Sequence, residues 1–261
     1  MTVDRLSSAE IEGLFHVAIV MDGNGRWATA RGMGRAEGHR HGAHAVRRTV
    51  RAAPSLGITT LTLFAFSSDN WKRPQHEVGT LLRLFGDYLR SERAELRQNS
   101  VRLSVIGRRD RLPGELVAAI EACEAATATA TRLHLRLAID YSARSAILRA
   151  AGLIAAEGDP SVATFRRRLG SACGTDTAPD VDLLIRTGGE YRLSDFLLWE
   201  SAYAELCFLP RMWPDFQETD LAAAVAEFHT RHRRFGALPA SRPSRGPEAS
   251  ADFSVPRQDR S

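Results

Sequence analysis

The chain has 261 residues, 44% of them hydrophobic, with 35 Lys and Arg against 31 Asp and Glu, enough for one large α/β domain or two small ones around a substantial core. A scattered excess of four positive charges does not demand nucleic acid and suits a bound anionic small molecule. Cys123, Cys173 and Cys207 form no CxxC and are odd in number, which argues against a disulfide framework or zinc site and fits buried thiols in a reducing cytosol better.

Residues 1–13 mix charge with small polar side chains and lack a signal-peptide apolar stretch. No apolar run reaches the ~20 residues of a membrane span. A cytoplasmic protein is expected. Val17–Met21 reads as a first buried strand. It ends abruptly in Asp22-Gly23-Asn24-Gly25-Arg26-Trp27. Glycines let backbone N–H groups approach phosphate oxygens, and Arg26 can fork onto them. Asp22 would repel a bare phosphate, so a carboxylate here implies a divalent cation between the two. A simple helix cap is the bland alternative for Asp22. Gly23, Gly25 and Ala28 also fit a permissive dinucleotide pattern, but Ala43–Arg51 holds no acid for a ribose.

Arg35 and His39 lie just before a helix marked by Ala43, Val46, Val50 and Ala53, which suits phosphate contact. His41 and His44 read as exposed. Thr60–Phe66 is the second strand, followed by Ser67-Ser68-Asp69-Asn70-Trp71-Lys72-Arg73-Pro74. This loop offers short hydrogen-bonding side chains, a cation and an aromatic before a helix at Val78, Leu81, Phe85 and Leu89. Most of that helix reads as core, with a minority of residues lining an apolar channel. Strand Val101–Ile106, a helix at Leu116, Ile120 and Cys123, and strands Leu135–Ile139 and Val181–Ile185 follow.

Arg186, Arg192 and Ser194, with Leu193 between them, surround Gly188-Gly189 and read as a second phosphate cradle, separate from the first. Glu205 is an acid inside an apolar run, open to metal ligation or to a pair with one of these arginines. Leu221, Val225 and Phe228 mark a late helix. From Ala237 onward Pro, Ser, Arg and Gly dominate, so residues 237–261 read as a disordered tail. The alternation of strand and helix implies a single α/β domain over residues 14–236, with a parallel sheet flanked by helices. Ligands then bind beyond the carboxyl ends of the strands. Two cradles there call for two phosphorylated substrates, or one long one.

Val20–Trp27, Phe66–Pro74 and Asp182–Phe196, with Trp199 and Ala202-Tyr203-Ala204-Glu205-Leu206, resemble the cis-prenyltransferases, the isoprenyl transferase family that includes undecaprenyl diphosphate synthase. The resemblance runs in order through residues 14–236. It implies a mostly parallel six-stranded sheet beside an apolar tunnel, a homodimer, and condensation of isopentenyl diphosphate with an allylic diphosphate to form a Z double bond. It implies that Asp22 coordinates Mg²⁺, with Glu205 completing the metal site. Gly23, Asn24, Gly25, Arg26, Trp27, Arg35 and His39 would hold the allylic diphosphate. Arg186, Arg192, Leu193 and Ser194 would hold isopentenyl diphosphate, and Asn70 sits at the family's proton-acceptor position. Ser67, Ser68, Asp69, Trp71 and Arg73 would frame the substrates, and Arg234 would reach across the dimer. At most peripheral membrane contact is expected.

Trans-type synthases use DDxxD motifs, and no Asp-Asp pair occurs here. Two departures stand out: Asp140-Tyr141-Ser142-Ala143-Arg144 where many members carry Asn-Tyr-Gly-Gly-Arg, and Asp195 where Asn is common. They put the housekeeping undecaprenyl role in question, whereas Ala65 favours a medium or long product. A specialised short-chain or irregular synthase is the second reading. A non-catalytic subunit is the third; such relatives lose the first-strand aspartate that this chain keeps.

Overall fold

A computed structural model describes residues 14–231. The expectations for residues 1–13, Arg234 and the tail from Ala237 lie outside the described residues. Strands β1 (His16–Val20), β2 (Thr60–Ser67), β3 (Val101–Ile106), β4 (Leu133–Tyr141), β5 (Leu183–Arg186) and β6 (Glu205–Phe208) form one sheet in the order β3-β4-β2-β1-β5-β6. Every pairing is parallel. All five residues of β1 are buried, as a central strand covered on both faces requires. The connecting helices are α1 (Asn24–Thr29), α2 (Arg35–Ala52), α3 (Gln75–Gln98), α4 (Gly114–Thr127), α5 (Ala143–Glu157), α6 (Val162–Ala172) and α7 (Glu218–Thr230).

Strand alternation divides the interior in two. Val17, Ile19, Leu61, Leu63, Leu135, Leu137 and Ile185 pack with α2, α3, α4 and α7. Ala18, Val20, Ala138 and Leu184 pack on the other face with α5, α6 and the segment around Phe196. The three cysteines are free and buried. His41 and His44 are exposed, as expected.

From β1 the chain leaves to one side for β2, β3 and β4, then returns on the other side as β5 and β6. The order therefore reverses at β1 and β5, and a crevice opens beyond their carboxyl ends. Asp22 and its glycines follow β1 there, and the Arg186–Ser194 loop follows β5.

The amino end of β1 carries a buried polar group. His16 Nδ1 donates to the Asp180 carbonyl at 2.9 Å. Nε2, 2.7 Å from the Thr62 hydroxyl, is then the acceptor. Burial, aided by the Arg136 charge, pushes the imidazole pKa down to about 3. The unfolded ring titrates near ~6.5. Below that pH the unfolded chain binds a proton that the folded chain does not. Stability then falls with pH by up to about 1.4 kcal/mol per unit from this residue, and is unaffected by it above pH ~6.5. Melting midpoints should fall between about pH 7 and pH 5, and His16→Gln should flatten the slope. An unchanged slope in that variant would remove His16 as its source.

Candidate active site

A cavity of about 650 Å³ opens at the β1/β5 crevice and runs between the sheet and helices α2 and α3. Its mouth carries Asp22, Arg26, Arg35, His39, Arg73, Arg186, Arg192 and Ser194. Its deeper wall is apolar, with Val46, Phe64, Ala65, Leu81, Leu84, Phe85 and Leu137.

Asp22 is the hub. Arg186 Nη2 donates to its Oδ2 at 2.8 Å, the Gly23 N–H donates to its Oδ1 at 2.6 Å, and Arg26 Nη2 lies 3.4 Å from Oδ1. Burial pushes the carboxyl pKa up. The Arg186 hydrogen bond and charge, with the Gly23 N–H and Arg26, outweigh it and hold the pKa below the usual range. Thr187, which is buried, donates to the Asp22 carbonyl at 2.8 Å and accepts its N–H at 2.9 Å. The two crevice loops are thereby tied at the backbone.

Gly23 makes the turn from strand to helix α1 at φ 104°, and a Cβ there would meet the Met212 Cβ at 2.9 Å. Only glycine suits both constraints. Helix α1 then lies close on α2: a Cβ on Gly38 would stand 2.0 Å from the Asn24 carbonyl oxygen. Gly38→Ala should therefore push α1 off α2, lower stability by about 1–3 kcal/mol and shift Asn24 and Arg26. A melting curve and the KM for the anionic ligand check this; wild-type values for both would show that α1 yields freely.

Arg186 is nearly enclosed, its side chain 4% exposed. Besides Asp22, it donates from Nη1 to the Arg192 carbonyl at 2.5 Å and to Ser194 Oγ at 2.7 Å. Two carboxylates absent from the sequence-based site organise the remaining arginines. Glu190 bridges Arg26 at 3.2 Å and Arg192 at 2.5 Å. Glu77 bridges Arg73 at 3.0 Å and Arg35 at 3.4 Å. Glu190 follows a Gly pair, and Glu77 stands one helical turn after Arg73; charge spacing was the available signal for the latter. Through Glu190 the two cradles form one continuous mouth rather than separate sites. Arg35 and His39 belong to the first turns of α2 rather than to a preceding loop. Burial, with help from Arg73, pushes the His39 pKa down to about 4. The ring is neutral near pH 7, and its Nε2 has no partner among the described residues.

Ser67, Asp69, Asn70 and Arg73 reach the cavity. Asn70 Oδ1 accepts the Ser67 N–H at 3.1 Å, and the Ser67 side chain faces the Asn70 N–H in a capping box. Other expected residues stand apart from the cavity wall. Trp27 is buried with His41 at 4.7 Å between ring centroids and Arg31 at 4.2 Å over its ring. Ser68 and Trp71 turn away toward Asp140 and Arg111. Leu193 packs against the core on the α5/α6 face.

Glu205 does not join Asp22 within the chain. The β5/β6 register sets it opposite Leu183, itself opposite Val17, about 16 Å along the strands from Asp22. Its carboxylate accepts from Arg231 at 2.7 Å, an ion pair with an arginine outside both cradles. Among the described residues no group of three or more His, Cys, Asp or Glu is placed to hold a metal ion. Asp22 alone, facing open space between arginines, fits Mg²⁺, which is commonly held by one or two carboxylates together with substrate phosphates.

Residues 20–236 match a family described as putative undecaprenyl diphosphate synthase. Isoprenyl transferase 1 of Bradyrhizobium diazoefficiens is 56% identical over 90% of this chain and 94% of its own length. An isoprenyl transferase of Agrobacterium fabrum is 49% identical over 85% of this chain and 92% of its own. Among solved structures, lavandulyl diphosphate synthase from Lavandula x intermedia, in complex with dimethylallyl diphosphate, superposes with a TM-score of 0.80 at 37% identity, covering 86% of this chain and 98% of that one. A probable undecaprenyl diphosphate synthase from Campylobacter jejuni gives 0.71 at 32% identity, covering 85% and 98%.

Proposed function

This chain belongs to the isoprenyl transferase family of cis-prenyltransferases, and from that premise we propose that it condenses isopentenyl diphosphate with an allylic diphosphate to extend a Z-prenyl chain. The observation that carries this reading is one cavity with a cationic mouth and an apolar interior. A ligand with a diphosphate head and a hydrocarbon tail matches both ends.

Asn24, Gly25, Arg26, Arg35 and His39 hold the allylic diphosphate, with its tail along Val46, Leu81, Phe85 and Leu137. Arg186, Arg192 and Ser194 hold isopentenyl diphosphate beside it. The isopentenyl double bond attacks the allylic C1, diphosphate leaves with the bonding pair, and a proton leaves C2. Arginines aimed at the departing diphosphate stabilise the charge that develops on it. Asn70 is too weak a base to take the proton by pKa. It orients the isopentenyl group while a diphosphate oxygen accepts the proton. Mg²⁺ at Asp22, when bound, neutralises phosphate charge and makes diphosphate a better leaving group.

Ala65 keeps the wall open, which supports a medium or long product. Likeness to lavandulyl diphosphate synthase supports the second reading, a specialised short-chain or irregular synthase. A homodimer is supported by exposed Tyr203, Trp199 and Leu206 beside the edge strand β6. No helix among the described residues is long and apolar enough to cross a membrane, and we read the enzyme as cytoplasmic with at most peripheral membrane contact.

The test is incubation with Mg²⁺ and radiolabelled isopentenyl diphosphate, with dimethylallyl, geranyl or E,E-farnesyl diphosphate as starter. Chain length is read after dephosphorylation. A ladder of Z-products supports chain elongation. A stop after one or two additions, or product from dimethylallyl diphosphate alone, selects the specialised enzyme. No product from any starter overturns the catalytic reading.

A further inference from the structure

Behind the turn that carries Asn70 lies an ion pair that takes no part in the cavity wall. The Asp140 side chain, at the end of β4, is fully buried, and its backbone is left-handed at φ 51°. The β2/β4 register slips at this point. Phe66 faces Ile139 and Ser67 faces Tyr141, so Asp140 has no opposite residue on β2. Such bulges re-aim a side chain. The carboxylate accepts a fork from Arg111, Nε to Oδ2 at 2.8 Å and Nη2 to Oδ1. It also accepts from Ser68 Oγ at 3.1 Å. The Arg111 guanidinium lies 5.3 Å over the Trp71 ring.

Ser68 and Trp71 bracket Asn70 within the single 3₁₀ turn Ser68–Lys72. Asp69 and Asn70 face the cavity, whereas Ser68 and Trp71 do not line it, and neither do Asp140 and Arg111. The turn is thus gripped from behind on both sides of the residue that it presents in front.

We propose that the Asp140–Arg111 pair is a positioning device for the reaction: it fixes the Ser68–Lys72 turn and so sets where Asn70 meets the isopentenyl group. This rests on the role given to Asn70 above. Without Asp140, the Ser68 hydroxyl loses its acceptor and the Arg111 fork its partner. The turn then drifts, and a misplacement of about 1 Å costs up to about 10²-fold in rate. The allylic diphosphate is gripped by other elements, α1 and α2, so its KM stays near wild type.

The experiment measures kcat, both KM values and melting midpoints for Asp140→Ala, Asp140→Asn, Ser68→Ala, Asn70→Ala and the double variant Asp140→Ala/Asn70→Ala. For Asp140→Ala, kcat should fall about 10-fold to 10²-fold with the allylic KM little changed. Asp140→Asn, which keeps an oxygen for Ser68 and one arm of Arg111 but not the fork, should recover part of it. The double variant should be no slower than Asn70→Ala alone, because residues acting as one unit are not additive. Should Asp140→Ala fail to fold, Ser68→Ala with and without Asn70→Ala applies the same test. Additive losses with Asn70→Ala impaired overturn the positioning role, as does an unchanged kcat in a folded Asp140→Ala. Full turnover by Asn70→Ala overturns instead the role of Asn70 on which the proposal rests.

Discussion

Asp22→Ala should abolish turnover, by about 10³-fold or more, without loss of diphosphate binding in the absence of metal. The two halves of that expectation have different causes. Asp22 is a partly exposed carboxylate at the mouth, in contact with Arg26 and Arg186. Removing it takes a negative charge from a site built to bind anions, so a bare diphosphate is repelled less. What disappears is the means of placing a cation against the leaving group. The fold should survive in Asp22→Asn, which keeps one acceptor oxygen for Arg186 in place of two shared between Arg186 and the Gly23 N–H. Ala leaves the enclosed Arg186 without its counter-charge, and breaking a buried pair costs up to about 3–5 kcal/mol; partial exposure of Asp22 makes the loss smaller. The pair of variants thus separates chemistry from folding. Turnover with a Mg²⁺ titration, and binding of inorganic diphosphate in chelator, check both halves. Near-normal product from either variant would sink the metal assignment. Diphosphate binding lost in proportion to turnover would make Asp22 a structural residue.

The parts of this site that sequence could show are those written in local patterns. β1 through β5 are apolar runs ending in chemistry-bearing loops, and a parallel sheet brings all such loops to one edge. The strand β6 escaped because an edge strand is only partly covered: Leu206 is exposed and Cys207 buried, too short an alternation to read. That omission also hid where Glu205 stands within the chain. An acid in an apolar run is a real signal, but register, which set it opposite Leu183, is not visible along the chain. Helix α5 escaped because its buried positions are Ala143, Ala146 and Ala150, a narrow stripe of small residues with a weak apolar signature.

The opposite case is Trp27, Ser68 and Trp71, which stand apart from the cavity wall. They belong to motifs that reach the cavity, and adjacency in the motif suggested adjacency to the ligand. Side chains in a turn point to different sides, and these three support the residues that do line the wall. Glu77 left only its spacing from Arg73 as a signal, and Glu190 left none, for a further reason. A cluster of arginines reads as an anion site, yet without ligand it also needs carboxylates to hold its forks in place, and their positions follow from the fold alone.

Arg186→Ala and Arg186→Lys should both lose about 10²-fold to 10³-fold in kcat/KM for isopentenyl diphosphate. The second variant decides what kind of site this is. If only positive charge mattered, lysine would restore most of the activity. Arg186 instead uses two ends of one planar fork: Nη2 reaches Asp22, and Nη1 reaches both the Arg192 carbonyl and Ser194 Oγ. A lysine offers a single point donor on a flexible stem, so it can keep Asp22 or the Arg192–Ser194 loop in place, not both. Its ammonium would also be enclosed where Arg186 is 4% exposed, a setting that favours loss of the proton. The loss should appear first in kcat, because the fork aligns the carboxylate of one loop with the phosphate-binding groups of the other. The allylic KM, set by Arg26, Arg35 and His39, should move less. Activity in Arg186→Lys above about a third of wild type would mean that charge alone suffices. An allylic KM rising in step with the isopentenyl KM would mean that the single mouth joined by Glu190 binds its two diphosphates without distinction.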